Sequence, residues 1–293
     1  MEAVVVFDAD NTLWDTDSVF RSAQLALLQR FADAGLIHDV ETELQTLRRL
    51  DAELGEQYGR AEYDFRVLIA ALAKLYSREL SSERDARRIP PAPQSSGDPE
   101  LTRIADEAFK AFQDGLRAVP PLYPDTEPVL SLIRASSSNE HPIVTAVLSE
   151  GNVDRLEHIL DAHRIRSKRY FDEIIITPKS KEAFEKSKQL ALQLLPKRGM
   201  DQETRTVLVG DSMKRDIKFA NQAGFTTVYK PAPYKGHEEP QDRDEQPDFT
   251  IHTLGELLPI LGDLGLPVEI VDRKPTSSGE PPSDTRLLGP QEG

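Results

Sequence analysis

The sequence turns on Val4-Val5-Val6-Phe7-Asp8-Ala9-Asp10-Asn11-Thr12-Leu13-Trp14. Its opening run of β-branched and aromatic residues is the pattern of a strand buried on both faces of a parallel sheet. The run stops at two carboxylates with one residue between them. On an extended chain, positions i and i+2 face the same way, so Asp8 and Asp10 can converge on one ligand. Open α/β sheets bind ligands just beyond the carboxyl ends of their strands, which is where this pair falls. Two like charges so close need a cation between them or a proton on one of them. Magnesium, a hard cation that prefers oxygen ligands, suits the pair. A strand that merely ends in an acidic turn carries the same letters, so the rest of the chain decides.

The totals narrow the class. A length of 293 residues fits about two domains at ~150 residues each. The net charge is −14, from 36 basic and 50 acidic residues, which argues against a nucleic-acid surface. An anionic substrate must then be drawn by a local site rather than by the overall field. The chain has no cysteine, which excludes disulfides, thiolate nucleophiles and thiolate metal sites. The first residues enter a strand without a charged-then-apolar leader. No apolar run approaches the ~20 residues that span a bilayer. The expectation is a soluble, cytoplasmic protein with neither membrane nor nucleic-acid partner; its oligomeric state is not legible.

Downstream of Trp14 the periodicity becomes helical. Ser18 to Ala34 carries Phe20, Ala23, Leu27, Phe31 and Ala34 at helical spacing, with Gly35 as a stop. Glu41 to Leu54, Arg60 to Leu80 and Glu100 to Leu116 repeat the pattern, interrupted by a Pro-, Ser- and Gly-rich loop at about 81–99. From Tyr123 strands and helices alternate. Strands are expected at Ile143 to Leu148, Glu173 to Thr177, Thr206 to Val209, Thr226 to Tyr229 and Asp248 to Ile251, with helices between them. The reading is an α/β doubly wound parallel sheet from residues 1–14 and 123–272, an inserted all-helical domain over 15–122, and a disordered tail at 273–293. A helical block spliced in after the first strand sits where a lid must be to exclude water.

Three further stretches follow strands. Ser149-Glu150-Gly151 opens a helix: a hydroxyl at a strand end beside free N–H groups can cradle a phosphate, or Ser149 can simply cap that helix. A lysine near the next strand end could stabilise phosphoryl oxygens, and Lys179 and Lys181 are the candidates, Lys179 having the better reach. Val207-Leu208-Val209-Gly210-Asp211-Ser212-Met213-Lys214-Arg215-Asp216 supplies two more carboxylates, with Gly210 permitting a tight turn that aims Asp211 at a metal. Asp216, at a helix start, also suits an ordinary dipole partner.

Taken in order, these stretches resemble the four motifs of the haloacid dehalogenase (HAD) superfamily. Asp8-Ala9-Asp10-Asn11-Thr12-Leu13 is similar to motif I, Ser149-Glu150-Gly151 to the Thr-Asn-Gly of motif II, Lys179 to Phe184 to motif III, and Gly210-Asp211 through Asp216 to motif IV. Glu150 departs from the pattern and would repel a phosphate unless it points away; the Lys-Pro pair common in motif III is missing. The helical block resembles the cap that one branch inserts between motifs I and II. The resemblance implies a magnesium-dependent phosphatase acting on a small phosphorylated substrate through an aspartyl-phosphate. Asp8 would be the nucleophile and Asp10 the general acid and base. Lys179, Ser149, Glu150, Gly151 and Thr12 would lie on the substrate side. Magnesium would be held by Asp8, Asp10 (through its backbone carbonyl) and Asp211, with Asp216 orienting the lysine or a metal-bound water. A phosphomutase or other phosphoryl transferase of the same fold, or a non-catalytic binding module, remains the alternative, although an acid at position 10 favours phosphate-ester chemistry over halide displacement. Trp14 would either pack or wall the substrate pocket, and Arg21, Arg60, Tyr63 and Arg66 could face the site.

Overall fold

The computed structural model describes residues 2–58, 64–80, 98–166, 169–196, 204–232, 238–266 and 268. Six strands form one sheet: β1 (Glu2–Phe7), β2 (Ile143–Ser149), β3 (Glu173–Ile176), β4 (Thr204–Gly210), β5 (Thr226–Tyr229) and β6 (Phe249–Thr250). Their order is β3-β2-β1-β4-β5-β6, and every neighbouring pair is parallel. The chain winds outward from β1 to β3, crosses back to β4, and winds outward again. Loops leaving β1 and β4 therefore diverge, and a crevice opens at their carboxyl ends.

The two-residue period of the strands sorts their side chains onto two cores. Ala3, Val5 and Phe7 face a cluster completed by α5 (Thr126–Ser136), α6 (Val153–Ala162) and α9 (Leu257–Asp263). Val4 and Val6 face the other side, against Phe184 and Ala191 of α7 (Lys181–Leu194) and Ala220 of α8 (Lys218–Gln222). All six residues of β1 are buried, so the central strand is clamped from above and below. At ~25 cal/mol per Å² of apolar surface removed from water, that double burial is the main force holding its end in place.

The first four helices after β1 build a separate core. They are α1 (Thr16–Asp33), α2 (Val40–Tyr58), α3 (Phe65–Leu80) and α4 (Pro99–Leu116), and Leu27, Phe31, Leu47, Leu72, Tyr76 and Phe112 pack among them. The segments that leave and re-enter the sheet run side by side. Asp15 donates its N–H to Pro121 O at 2.9 Å, Tyr123 donates to Leu13 O at 3.2 Å, and the Thr126 hydroxyl donates to Leu13 O at 2.6 Å. No helix among the described residues is long and apolar enough to cross a membrane.

Several expectations shift. In α1 the residue facing the core is Val19, 5% exposed, while Phe20 is 37% exposed: the register places the smaller neighbour inside. Pro99, expected in the loop, is the first residue of α4, where a missing N–H is harmless, and the Asp98 side chain caps Glu100 and Leu101. The helix expected between the Thr206 to Val209 and Thr226 to Tyr229 strands opens instead with a wide i→i+5 turn, Met213–Ile217, in which Ile217 N–H reaches Ser212 O at 3.1 Å. Arg60, Tyr63, most of the 81–99 loop and the 273–293 tail lie outside the described residues.

The close approach of α1 and α4 gives a test. A Cβ on Gly115 would lie 2.8 Å from both Cα and Cβ of Ala23. Gly115→Ala gains ~1 kcal/mol of helix propensity, but overpacking at backbone contact costs about 1–3 kcal/mol. Urea denaturation should show a net loss of stability.

Candidate active site

Asp8 stands one residue past β1, and its N–H still pairs with Val209 O at 2.9 Å, so the sheet itself fixes it. The chain then turns sharply: Thr12 and Leu13 donate their N–H groups to Ala9 O, and Asn11 adopts φ +62°. That turn brings the Thr12 hydroxyl back onto Asp8 Oδ2 at 3.0 Å. Thr12, expected on the substrate side, is fully buried instead and directs its hydroxyl to the Asp8 carboxylate.

The other oxygen of Asp8 meets Lys179. Its ammonium lies 2.5 Å from Asp8 Oδ1 and 2.5 Å from Asp216 Oδ1, with side chains 5% exposed or less on all three residues. Lys181, by contrast, is exposed and pairs with Glu185 at 3.5 Å. Asp216 reaches this spot because the wide turn folds it back under β4, where Ser212 N–H donates to its Oδ2 at 3.0 Å. Gly210 makes room for it. A Cβ there would sit 2.5 Å from Asp216 Cβ and 2.6 Å from its Cγ, so the glycine is required for this close approach rather than for a tight turn. Asp216 is thus a member of the cluster and not a solvent-facing dipole partner.

Asp8, Asp211 and Asp216 each offer a carboxylate oxygen, all within 4.8 Å of one another and all buried. Three carboxylates against one ammonium leave the cluster short of positive charge. Burial pushes the Asp8 carboxyl up to about 8, with Asp216 and Asp211 adding to the rise against the pull of Lys179. Lys179 goes the other way: burial disfavours its charge, but the Asp216 and Asp8 carboxylates outweigh that and hold it protonated far above the usual lysine range. Hard oxygen donors and excess negative charge fit a divalent cation held by Asp8 and Asp211, beside Asp216.

Asp10 lies outside this trio. Its Oδ1 accepts the Trp14 indole N–H at 3.0 Å and the Thr16 hydroxyl. Its Oδ2 lies near Gly151, where an added Cβ would be 3.8 Å from it and 3.3 Å from Ser149 Oγ. Ser149 is 2% exposed and its Oγ accepts Gly151 N–H at 3.1 Å, while Asn152, not Ser149, caps α6. Asp10, Ser149 and Gly151 therefore lie together at the carboxyl edge of the sheet. Glu150 does not leave a bare charge there: it pairs with Arg215 and its Oε2 accepts the backbone N–H of Lys179 at 3.2 Å. Trp14 is fully buried and packs in the main core, its N–H alone serving the site.

Two basic residues were not anticipated. Arg215 lies inside the Asp211–Asp216 stretch and ties that loop to Glu150. Lys230, 2% exposed, follows β5 and donates to Asn11 O at 3.1 Å. Burial pulls Lys230 down to about 8, against the opposing pull of Asp125, Asp211, Asp15 and Asp8. A charged residue directly after a sheet strand is the signal that could have flagged it.

The sheet, its order and the residues gathered at its carboxyl edge define a hydrolase of α/β type. The sequence model for haloacid dehalogenase-like hydrolase matches residues 3–224, and the chain belongs to that family. It is 27% identical over 273 residues to the glyceraldehyde 3-phosphate phosphatase of Methanopyrus kandleri, covering 90% of this chain and 99% of the relative. It is 24% identical to the ribulose-1,5-bisphosphate 5-phosphatase of Halopiger xanaduensis, covering 88% and 98%. Among solved structures, the fold is similar to the Bacillus subtilis HAD-hydrolase YfnB bound to magnesium (TM-score 0.52, 17% identity, 89% and 98% covered). It is also similar to a haloacid dehalogenase-like hydrolase of Xanthomonas campestris (TM-score 0.53, 14% identity, 90% and 97% covered).

Three substitutions test the geometry. Gly210→Ala must push Asp216 off Lys179, and a displacement of that size should lower turnover roughly a hundredfold while circular dichroism still reports a folded chain. Lys179→Ala should cost at least about a hundredfold in kcat/KM. Lys181→Ala removes only an exposed pair and should stay within about twofold.

Proposed function

We propose that this chain is a divalent-cation-dependent phosphomonoesterase, using magnesium, that hydrolyses a small phosphorylated sugar or similar metabolite through an aspartyl-phosphate. The carrying observation is the contrast between its two leading carboxylates. Asp8 is buried against Lys179 and two further carboxylates, whereas Asp10 is held by two neutral donors. Carboxylates in such different surroundings suit different roles.

In this reading Asp8 attacks phosphorus as the bond to the leaving oxygen breaks, and Asp10 gives its proton to that oxygen. A water then attacks the phosphoryl group on Asp8 while Asp10 takes its proton, returning Asp8 as a carboxylate and releasing inorganic phosphate. Lys179, the Ser149 hydroxyl and the N–H groups near Gly151 hold the phosphoryl oxygens. Magnesium, on Asp8 and Asp211 with the Asp10 carbonyl and with Asp216 alongside, would neutralise charge on the transferring group. Arg215 keeps the Glu150 carboxylate engaged and so removes the repulsion that this residue would otherwise bring. The helices α1–α4 act as a cap that closes over the site and excludes water. The phosphatase names of the relatives support the phosphoryl chemistry and the small-sugar class.

The test is a panel of aryl and metabolite phosphates with magnesium. Wild-type protein should release phosphate, a chelator should stop it, and added magnesium should restore it. Asp8→Asn should be inert, since an amide cannot serve as the nucleophile. A wild type inactive across the panel, or an active Asp8→Asn, would overturn the reading.

A further inference from the structure

A buried lysine that serves no packing purpose calls for a reason. Lys230 is 2% exposed, its Nζ donates to Asn11 O at 3.1 Å, and it lies 3.6 Å from the centroid of the Tyr123 ring. Taking an ammonium out of water costs several kcal/mol. The Asn11 carbonyl, the Tyr123 ring and the carboxylates of Asp125, Asp211, Asp15 and Asp8 offset only part of that, and a methionine would fill the space without the charge. The position of the lysine explains the expense.

Asn11 is the residue on which the turn after Asp8 reverses, at φ +62°, a conformation that disfavours side-chain-bearing residues. Asn11 is 3% exposed, so each of its polar groups needs a partner. Its N–H donates to Trp14 O at 2.8 Å, and its amide exchanges hydrogen bonds with Asp17 at 2.9 and 3.1 Å. Its carbonyl takes Lys230. The same turn sets Asp10 against Trp14 and Thr16, which lie on the far side of Asn11 and fix the Asp10 carboxylate. Asp8 does not depend on it in this way, because the sheet bond to Val209 and the contacts to Lys179 and Thr12 hold it separately. Tyr123 belongs to the segment returning from the helices, so the lysine also locks that segment to the turn.

We propose that Lys230 is a positioning residue for Asp10: by holding the Asn11 carbonyl it keeps the turn wound and the Asp10 carboxyl aimed at the leaving oxygen. The inference rests on the phosphatase reading above and on the acid role of Asp10 within it. It makes a distinction that general loss of structure would not. An alkyl leaving group needs a proton as its bond breaks, whereas p-nitrophenolate leaves as a stable anion. The ratio kcat/KM includes formation of the phosphoryl enzyme but not its hydrolysis, so it isolates the acid step.

The experiment compares wild type with Lys230→Met on p-nitrophenyl phosphate and on the alkyl phosphate that the wild type hydrolyses best. For the alkyl ester kcat/KM should fall at least about thirtyfold, part of the ~10²–10⁴-fold that a positioned acid supplies. For p-nitrophenyl phosphate it should fall less than about threefold, and Lys230→Arg, which keeps a donor, should recover much of the alkyl activity. Equal losses on the two esters, or no loss, would overturn the role of Lys230 and leave the phosphatase reading standing. A wild type inert toward both would bring down the two together. If Lys230→Met does not fold, the same ratio is read in Tyr123→Leu, which strips the ring from the ammonium, and the same outcomes decide.

Discussion

The crowding of like charge around Lys179 governs this molecule. Asp8, Asp211 and Asp216 lie within 4.8 Å of one another in a place with almost no water, and one ammonium stands among them. Such a cluster would push apart or take up protons unless rigid structure held it. The parallel sheet supplies that rigidity. The loops that follow β1, β3 and β4 carry the charged groups, and apolar layers on both faces keep those strands from yielding. Even the glycine at position 210 follows from the cluster, since any larger residue would displace Asp216. Stability is spent here to hold a charge pattern that a divalent cation would complete.

Set beside this cluster, Asp10 occupies a milder setting. An indole N–H and a hydroxyl fix its orientation. The hydroxyl comes from Thr16, the first residue of α1, so the beginning of the helical block reaches into the site. The fold thereby joins the chemistry to the element proposed to close over it.

Much of this was legible in the sequence because it rests on local pattern. The buried strands announced themselves by continuous β-branched runs, and Asp8, Lys179 and Asp211 each follow one of them. What stayed hidden depends on contacts between distant segments. Glu150 and Arg215 are 65 positions apart, and Lys230 and Asn11 are 219 apart, so no periodicity could pair them. Helical spacing could not tell Val19 from Phe20, since both neighbours fit an apolar stripe and only packing chooses. The wide turn at Met213–Ile217 was equally invisible: its letters suit an ordinary helix, and the demand that Asp216 return beneath β4 arises only once the sheet exists.

The central claim is that Asp8 becomes covalently attached to phosphorus, and rapid acid quench during turnover followed by mass spectrometry tests it most directly. The account predicts a transient mass increase of one phosphoryl group on the peptide that contains Asp8, labile to hydroxylamine as an acyl phosphate is. Active enzyme that releases phosphate with no such adduct at any quench time, or with the adduct on another residue, would contradict it.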